Sequence, residues 1–115
     1  GPQRISNTGN CSAPLVPGMI LSNEPGYYKT GQYGMRIENL MLVVERRVPG
    51  AERRMHGFEM LTFLPIDRSV IELSLLTDEE RAWVDEYHAE VARVLGPRIE
   101  GAARAWLIEA TRALT

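Results

Sequence analysis

An α+β chain, with antiparallel-rich strands first and two helices last, is predicted by three observations. Apolar residues between positions 19 and 64 fall in short runs punctuated by Pro, Gly and charge, as strands do. From Thr77 onward they recur at helical spacing instead. There is no internal repeat and no low-complexity tract, so the order is read directly as strands followed by helices.

Residues 1–17 are rich in Gly, Pro, Ser and Asn without a sustained period, which predicts an irregular loop ending at Pro17-Gly18. Met19 to Asn23 is a short, mostly apolar run and reads as a strand. Glu24-Pro25-Gly26-Tyr27 fits a type II turn, with Pro second and Gly third. Lys29 to Gly34 is polar and Gly-punctuated, hence loop, and Met35 to Arg47 is the best strand. Alternation puts Arg36, Glu38, Leu40, Leu42 and Val44 on one of its faces, and Met35, Ile37, Asn39, Met41 and Val43 on the other. Both faces are mostly apolar, as in a central strand covered on two sides. Pro49 to His56 reads as a charged turn, Phe58 to Leu64 as the next strand, and Ile71 to Leu76 as a connector.

Thr77-Asp78-Glu79-Glu80 matches a capping box, with Thr77 as N-cap. Trp83, Tyr87, Val91, Val94 and Leu95 then form one apolar stripe, and Gly96-Pro97 stops the helix. Ala103, Trp106, Leu107, Ala110 and Leu114 form the stripe of a second helix. Three strands and two terminal helices leave sheet edges that need cover or pairing, so the sequence reads as one half of a larger layered domain.

The chain has 115 residues, enough for one core. A net charge of −2 gives no electrostatic case for nucleic acid or an anionic membrane, and no apolar run is long enough to span a bilayer. The one cysteine, Cys11, excludes an internal disulfide framework and fits a reducing, cytoplasmic compartment; without a partner base it is not read as a nucleophile.

Two carboxylates carry most of the chemical information: Glu24 in Ser22-Asn23-Glu24-Pro25-Gly26-Tyr27-Tyr28, and Glu38 in Arg36-Ile37-Glu38-Asn39. Each lies in or beside a strand, where burying a charge costs several kcal/mol or so without compensation. A hairpin could bring both to one site, and converging carboxylates suggest a hard or borderline metal. Two ligands do not complete a metal site, and no others are evident. The plainer alternatives are a solvated Glu24 leading a Pro-Gly turn and a purely structural Arg36–Glu38 pair. Tyr27, Tyr28 and Tyr33 read first as loop-packing aromatics, His56 as solvated, His88 as a surface or boundary residue, and Trp83 and Trp106 as core or interface packing.

The stretches Gly18 to Tyr28 and Tyr33 to Asn39 closely resemble the C-terminal end of Xaa-Pro aminopeptidases (aminopeptidase P), members of the pita-bread metallopeptidases. Phe58 to Thr62 with Pro65-Ile66-Asp67 resembles that family's last core strand, and Leu76 through Trp106-Leu107 the helical tail of its large, three-domain form. The resemblance implies the C-terminal half of a pita-bread (creatinase/aminopeptidase-like) domain over residues 1–66 and a helical tail over 67–115. It implies two divalent metal ions held by five side chains, Mn2+ first and Zn2+ in some members. Glu24 matches a metal ligand that also accepts the nucleophile's proton, Glu38 the ligand bridging both ions, Arg36 an arginine behind that bridge, and Tyr28 a tyrosine lining the substrate pocket. The other ligands lie upstream in the family. The chain alone is therefore expected to be inactive and to bind metal poorly. Its implied partners are a peptide with proline second, the upstream half of the domain, and a second copy in a homodimer. Two alternatives stand beside this reading: a non-catalytic pita-bread peptide-binding or interaction module, and a prolidase-like dipeptidase.

Overall fold

A computed structural model describes Ile5 and residues 13–114 of the chain. The readings placed on Cys11 and on most of the opening loop lie outside these residues. The chain divides into two compact units with the boundary between Thr62 and Phe63.

Among its described residues, the regular structure of the first unit is all strand. Among the described residues it holds β1 (Ile20–Asn23), β2 (Gly26–Lys29), β3 (Tyr33–Arg36), β4 (Asn39–Arg46) and β5 (Met55–Met60). An antiparallel sheet runs β1-β4-β5, with β4 central, and β2 and β3 form a separate two-stranded ribbon. A type II turn occurs, but at the earlier Pro-Gly. Met19 N–H donates to Val16 O at 3.1 Å, Pro17 stands second, and Gly18 takes a φ of 93°. That conformation suits glycine and almost no other residue.

The second Pro-Gly does the opposite. Gly26 is not among the glycines with positive φ and begins β2, so the type II turn expected at Glu24–Tyr27 is not formed. The expected strand Met35–Arg47 is likewise split at Ile37-Glu38 into β3 and β4. One cause explains both corrections. Asn23 faces Asn39 at the end of β1–β4, and Gly26 faces Arg36 at the start of β2–β3. The same register carried across the gap sets Glu24 opposite Glu38 and Pro25 opposite Ile37. β1 to β4 therefore form one long hairpin interrupted at a single step. Pro25 has no N–H to give, so that step keeps one ladder bond, Ile37 N–H to Pro25 O at 3.2 Å. The expected loop Lys29–Gly34 contracts to Thr30–Gln32, because Lys29 and Tyr33 pair and Gly31 turns the chain at a φ of 70°.

The last strand is Met55–Met60, not Phe58–Leu64. Its limits are set by its partner. β4 ends at Asn39, so after Leu61 N–H bonds Leu40 O at 2.9 Å no backbone remains to pair. Thr62 Oγ1 accepts the N–H of Leu40 at 2.9 Å, and a side chain closes the ladder. In β4 the alternation holds: Asn39 and Val43 are buried while Leu40 is exposed.

The second unit is helical, with α1 (Asp78–Leu95) and α2 (Gly101–Ala110). The capping box forms in full: Thr77 Oγ1 accepts from Glu80 N–H at 3.2 Å, and Glu80 Oε2 from Thr77 N–H at 2.9 Å. Gly96 caps α1, and a 3-10 turn over Gly96–Arg98 leads toward α2. The core consists of Val84, Tyr87, His88 and Val91 from α1, with Leu107 and Leu114. Of the predicted stripes, Tyr87, Val91, Leu107 and Leu114 are buried as expected. Trp83 and Trp106 are half-exposed, and Trp83 instead stacks on Tyr87 with ring centroids 5.7 Å apart.

His88 corrects its sequence reading most sharply, since it is fully buried. It packs inside because it ties down the chain that leaves the sheet. Its Nε2 accepts from Ile66 N–H at 3.0 Å, while Tyr87 Oη donates to Leu64 O at 2.7 Å. Arg68 spans to Glu109 O and Ala113 O, and Asp85 Oδ1 accepts from Leu114 N–H at 2.8 Å. Polar groups in a small core thus fix where both ends of the unit lie.

Burial, and after it the nearby Arg68 charge, push the His88 pKa below its ordinary 6.5, with Asp85 opposing. Protonation would also set an N–H on Nε2 against the Ile66 N–H. Below about pH 6.5 the unfolded chain takes a proton that the folded unit resists, so stability falls as pH drops through the folded pKa. Denaturant unfolding between about pH 7.5 and 5.5 should show this loss, and His88→Gln should flatten it while lowering stability at the upper pH.

In the β2–β3 ribbon, Tyr28 lies across two glycines. A Cβ on Gly34 would sit 2.7 Å from Tyr28 Cδ1, and one on Gly26 would sit 2.6 Å from Tyr28 Oη. Gly34→Ala should displace the ring and destabilise by about 1 kcal/mol, toward the low end of overpacking costs because the ring is exposed. Denaturant unfolding and the Tyr28 ring resonances measure the two effects.

Candidate functional site

The long hairpin decides which side chains can meet. In an antiparallel pair, directly opposed residues share a face, and so do residues two apart. Glu24, Gly26 and Tyr28 therefore share one face with Glu38, Arg36 and Gly34. Tyr27, Tyr33, Met35 and Ile37 fall on the other, where the Tyr27 and Tyr33 rings pack at 6.0 Å.

Glu24 and Glu38 would repel each other across the strands. Arg36 answers that repulsion from the same face. Its Nη1 lies 3.4 Å from Glu24 Oε2 and its Nη2 3.3 Å from Glu38 Oε2. The three side chains are 47%, 48% and 44% exposed for Glu24, Arg36 and Glu38, so each ion pair is worth only about 0–1 kcal/mol. The opposite carboxylate oxygen of Glu24, Oε1, accepts from Ser22 Oγ at 2.7 Å, which fixes its rotation. Sequence reasoning missed Ser22. The signal was its place two residues before Glu24 on an extended segment.

Tyr28 joins this group from along the strand. Its ring crosses Gly34, and its hydroxyl end reaches the space above Gly26, the residue opposite Arg36. The two glycines are thus a floor for the tyrosine. A Gly-x-Tyr on one strand facing a Gly on the other was the readable sign of it.

Chemically this is a pair of hard oxygen donors on one ribbon face, with one cation between them. Such donors suit a divalent ion. Among the described residues no group of three or more His, Cys, Asp or Glu gathers. The pair therefore fits a metal as part of a ligand set and does not complete one. His56 stands exposed on β5 opposite Glu45, and His88 is in the helical core; neither joins the carboxylates. A shallow groove of about 550 Å³ runs along the β4–β5 turn between Glu45 and Met55, away from Glu24 and Glu38.

Comparison with known proteins agrees along the whole chain. Residues 1–45 match metallopeptidase family M24, and residues 54–114 match the C-terminal region of peptidase M24. Aminopeptidase P2 of Arabidopsis thaliana is 44% identical over 117 residues, covering 99% of this chain and 16% of that protein. A probable Xaa-Pro aminopeptidase P of Laccaria bicolor is 43% identical over 100 residues, covering 84% of this chain and 16% of its own length. Among solved structures, the X-prolyl aminopeptidase of Caenorhabditis elegans superposes with a TM-score of 0.75 at 35% identity, over 87% of this chain and 17% of that one. It is described as a cytosolic enzyme with a di-nuclear active site. This chain thus spans about one sixth of the length of the relatives it matches. Antiparallel strands followed by two helices are the last part of a pita-bread aminopeptidase fold. The chain belongs to metallopeptidase family M24, of which it carries the C-terminal region.

Proposed function

We propose that this chain is the C-terminal part of an aminopeptidase that hydrolyses the bond between an N-terminal residue and a following proline. Residues 1–66 would complete the catalytic domain, and residues 67–115 would form its helical tail. The observation that carries the reading is the opposition of Glu24 and Glu38 on one ribbon face, in a chain 44% identical to an aminopeptidase P.

Glu24 and Glu38 would hold two divalent ions together with three ligands from the upstream half; Mn2+ is the first candidate and Zn2+ the second. When bound, such ions supply an ionised water near neutral pH and polarise the scissile carbonyl. The chain's own residues do the rest. Glu24 accepts the proton of the attacking water and returns it to the proline nitrogen as the C–N bond breaks, releasing a free amino acid and a peptide that begins with proline. Ser22 holds the rotation of Glu24 for that transfer, since its hydroxyl bonds Oε1 at 2.7 Å. Tyr28 walls the site on the substrate side and excludes water there. Before metal is bound, Arg36 holds Glu38 facing Glu24 through its two ion pairs.

The relatives support a peptide substrate, and the cytosolic description of the nematode enzyme supports a cytoplasmic location. A homodimer of the complete enzyme is part of the same proposal.

In the full-length protein, Glu24→Gln and Glu38→Gln should each lower kcat/KM on an Xaa-Pro-Xaa tripeptide by at least about a hundredfold. Each should also reduce the bound metal measured by elemental analysis. An Xaa-Pro dipeptide should be the poorer substrate; the reverse order would replace this reading with a dipeptidase. The 115-residue chain alone should show neither cleavage nor tight metal binding.

A further inference from the structure

The chemistry above needs the two carboxylates to face each other, which is also their least favourable arrangement. Directly opposed like charges destabilise a strand pair. The ladder cannot enforce the geometry by itself, because this is the step where Pro25 leaves it one bond short. The guanidinium of Arg36 reaches both carboxylates from the same face.

Its contacts have an unusual division. A guanidinium commonly grips one carboxylate with two parallel hydrogen bonds at about 2.7–2.9 Å. Arg36 instead spends one terminal nitrogen on each glutamate, at 3.4 and 3.3 Å. Its single charge offsets part of the repulsion between them, and it grips neither. The ion pairs run to Oε2 of Glu24 and to Oε2 of Glu38. All three groups are nearly half exposed, so the pairs can be broken at little cost.

We propose that Arg36 is the counter-cation of the metal-free site: it holds Glu24 and Glu38 face to face until a divalent ion arrives, and is displaced from them by that ion. The inference rests on the assignment of both glutamates as ligands. It differs from a purely supporting role in sign. A supporting arginine raises metal affinity, whereas a displaced counter-cation lowers it, because its ion pairs must be given up on loading.

The test uses the full-length protein, stripped of metal and titrated calorimetrically with Mn2+, with thermal unfolding of the stripped and Mn2+-saturated forms. Arg36→Gln should bind Mn2+ roughly threefold to tenfold more tightly than wild type, the value of two half-exposed ion pairs. It should lower the unfolding temperature of the stripped protein and leave that of the saturated protein unchanged. In a Glu38→Gln background, where the repulsion is gone and only the Arg36–Glu24 pair remains, Arg36→Gln should lower the stripped protein's unfolding temperature by less than it does beside Glu38. Weaker or unchanged Mn2+ affinity, or equal loss in both forms, overturns the proposal. Should Arg36→Gln fail to fold, Arg36→Met, which also removes the cation, is read in the same titration and should fall on the same side of wild type. If Glu24→Gln and Glu38→Gln both bind Mn2+ as wild type does, the ligand assignment itself fails and the counter-cation goes with it. If they lose Mn2+ but Arg36→Gln does not tighten binding, only the counter-cation fails.

Discussion

A single antiparallel register, held from β1 through β4, is the constraint on which the site depends. It pairs Ile20 with Leu42 at one end and Lys29 with Tyr33 at the other. Because side chains alternate with a period of two, this register alone decides that Glu24, Tyr28, Arg36 and Glu38 share a face. Both ends are pinned. At the open end the Pro17-Gly18 turn and the Val43 N–H to Met19 O bond at 2.8 Å fix the start of β1, while β5 backs the other edge of β4. At the closed end the Gly31 turn holds Lys29 to Tyr33.

The two units solve the problem of polar burial differently. The strand unit keeps its charged trio half exposed and lets the ribbon backbone position it. The helical unit buries an imidazole and a phenol, half-buries a carboxylate, and gives each a backbone partner: Ile66, Leu64 and Leu114. These bonds reach 22, 23 and 29 positions along the chain. The helices are therefore tied, beside their apolar core, by specific polar contacts to segments with no regular structure of their own.

Much of this was legible in the sequence, for identifiable reasons. The capping box at Thr77 is local, four residues satisfying one another, and it formed as read. The α+β order and the central place of the strand through Val43 follow from periodicity and also held. What failed were features fixed by partners distant in sequence. Pro25-Gly26 has the composition of a type II turn and lies extended, because Ile37 and Arg36 pair with it. His88 looks like a boundary residue until the Ile66 N–H that it accepts is known. Trp83 and Trp106 have the spacing of core residues, yet the interior is filled by Val84, which the stripe left out, and by Leu107, which it included. The closeness of Glu24 and Glu38 could be suspected from a hairpin; that one arginine divides itself between them could not.

The alternation that builds this face also limits how the chain can change in length. Adding one residue to either limb, between Glu24 and Lys29 or between Tyr33 and Glu38, would rotate everything beyond it to the opposite side of the ribbon. One carboxylate would then point away from the other, with no loss of backbone pairing to betray the damage. The tip at Thr30–Gln32 carries no such penalty, since residues added there leave the pairs on both limbs intact. Insertions and deletions are thus free at one place and forbidden on either side of it, so the hairpin can grow outward at its tip while its two acidic positions stay in step.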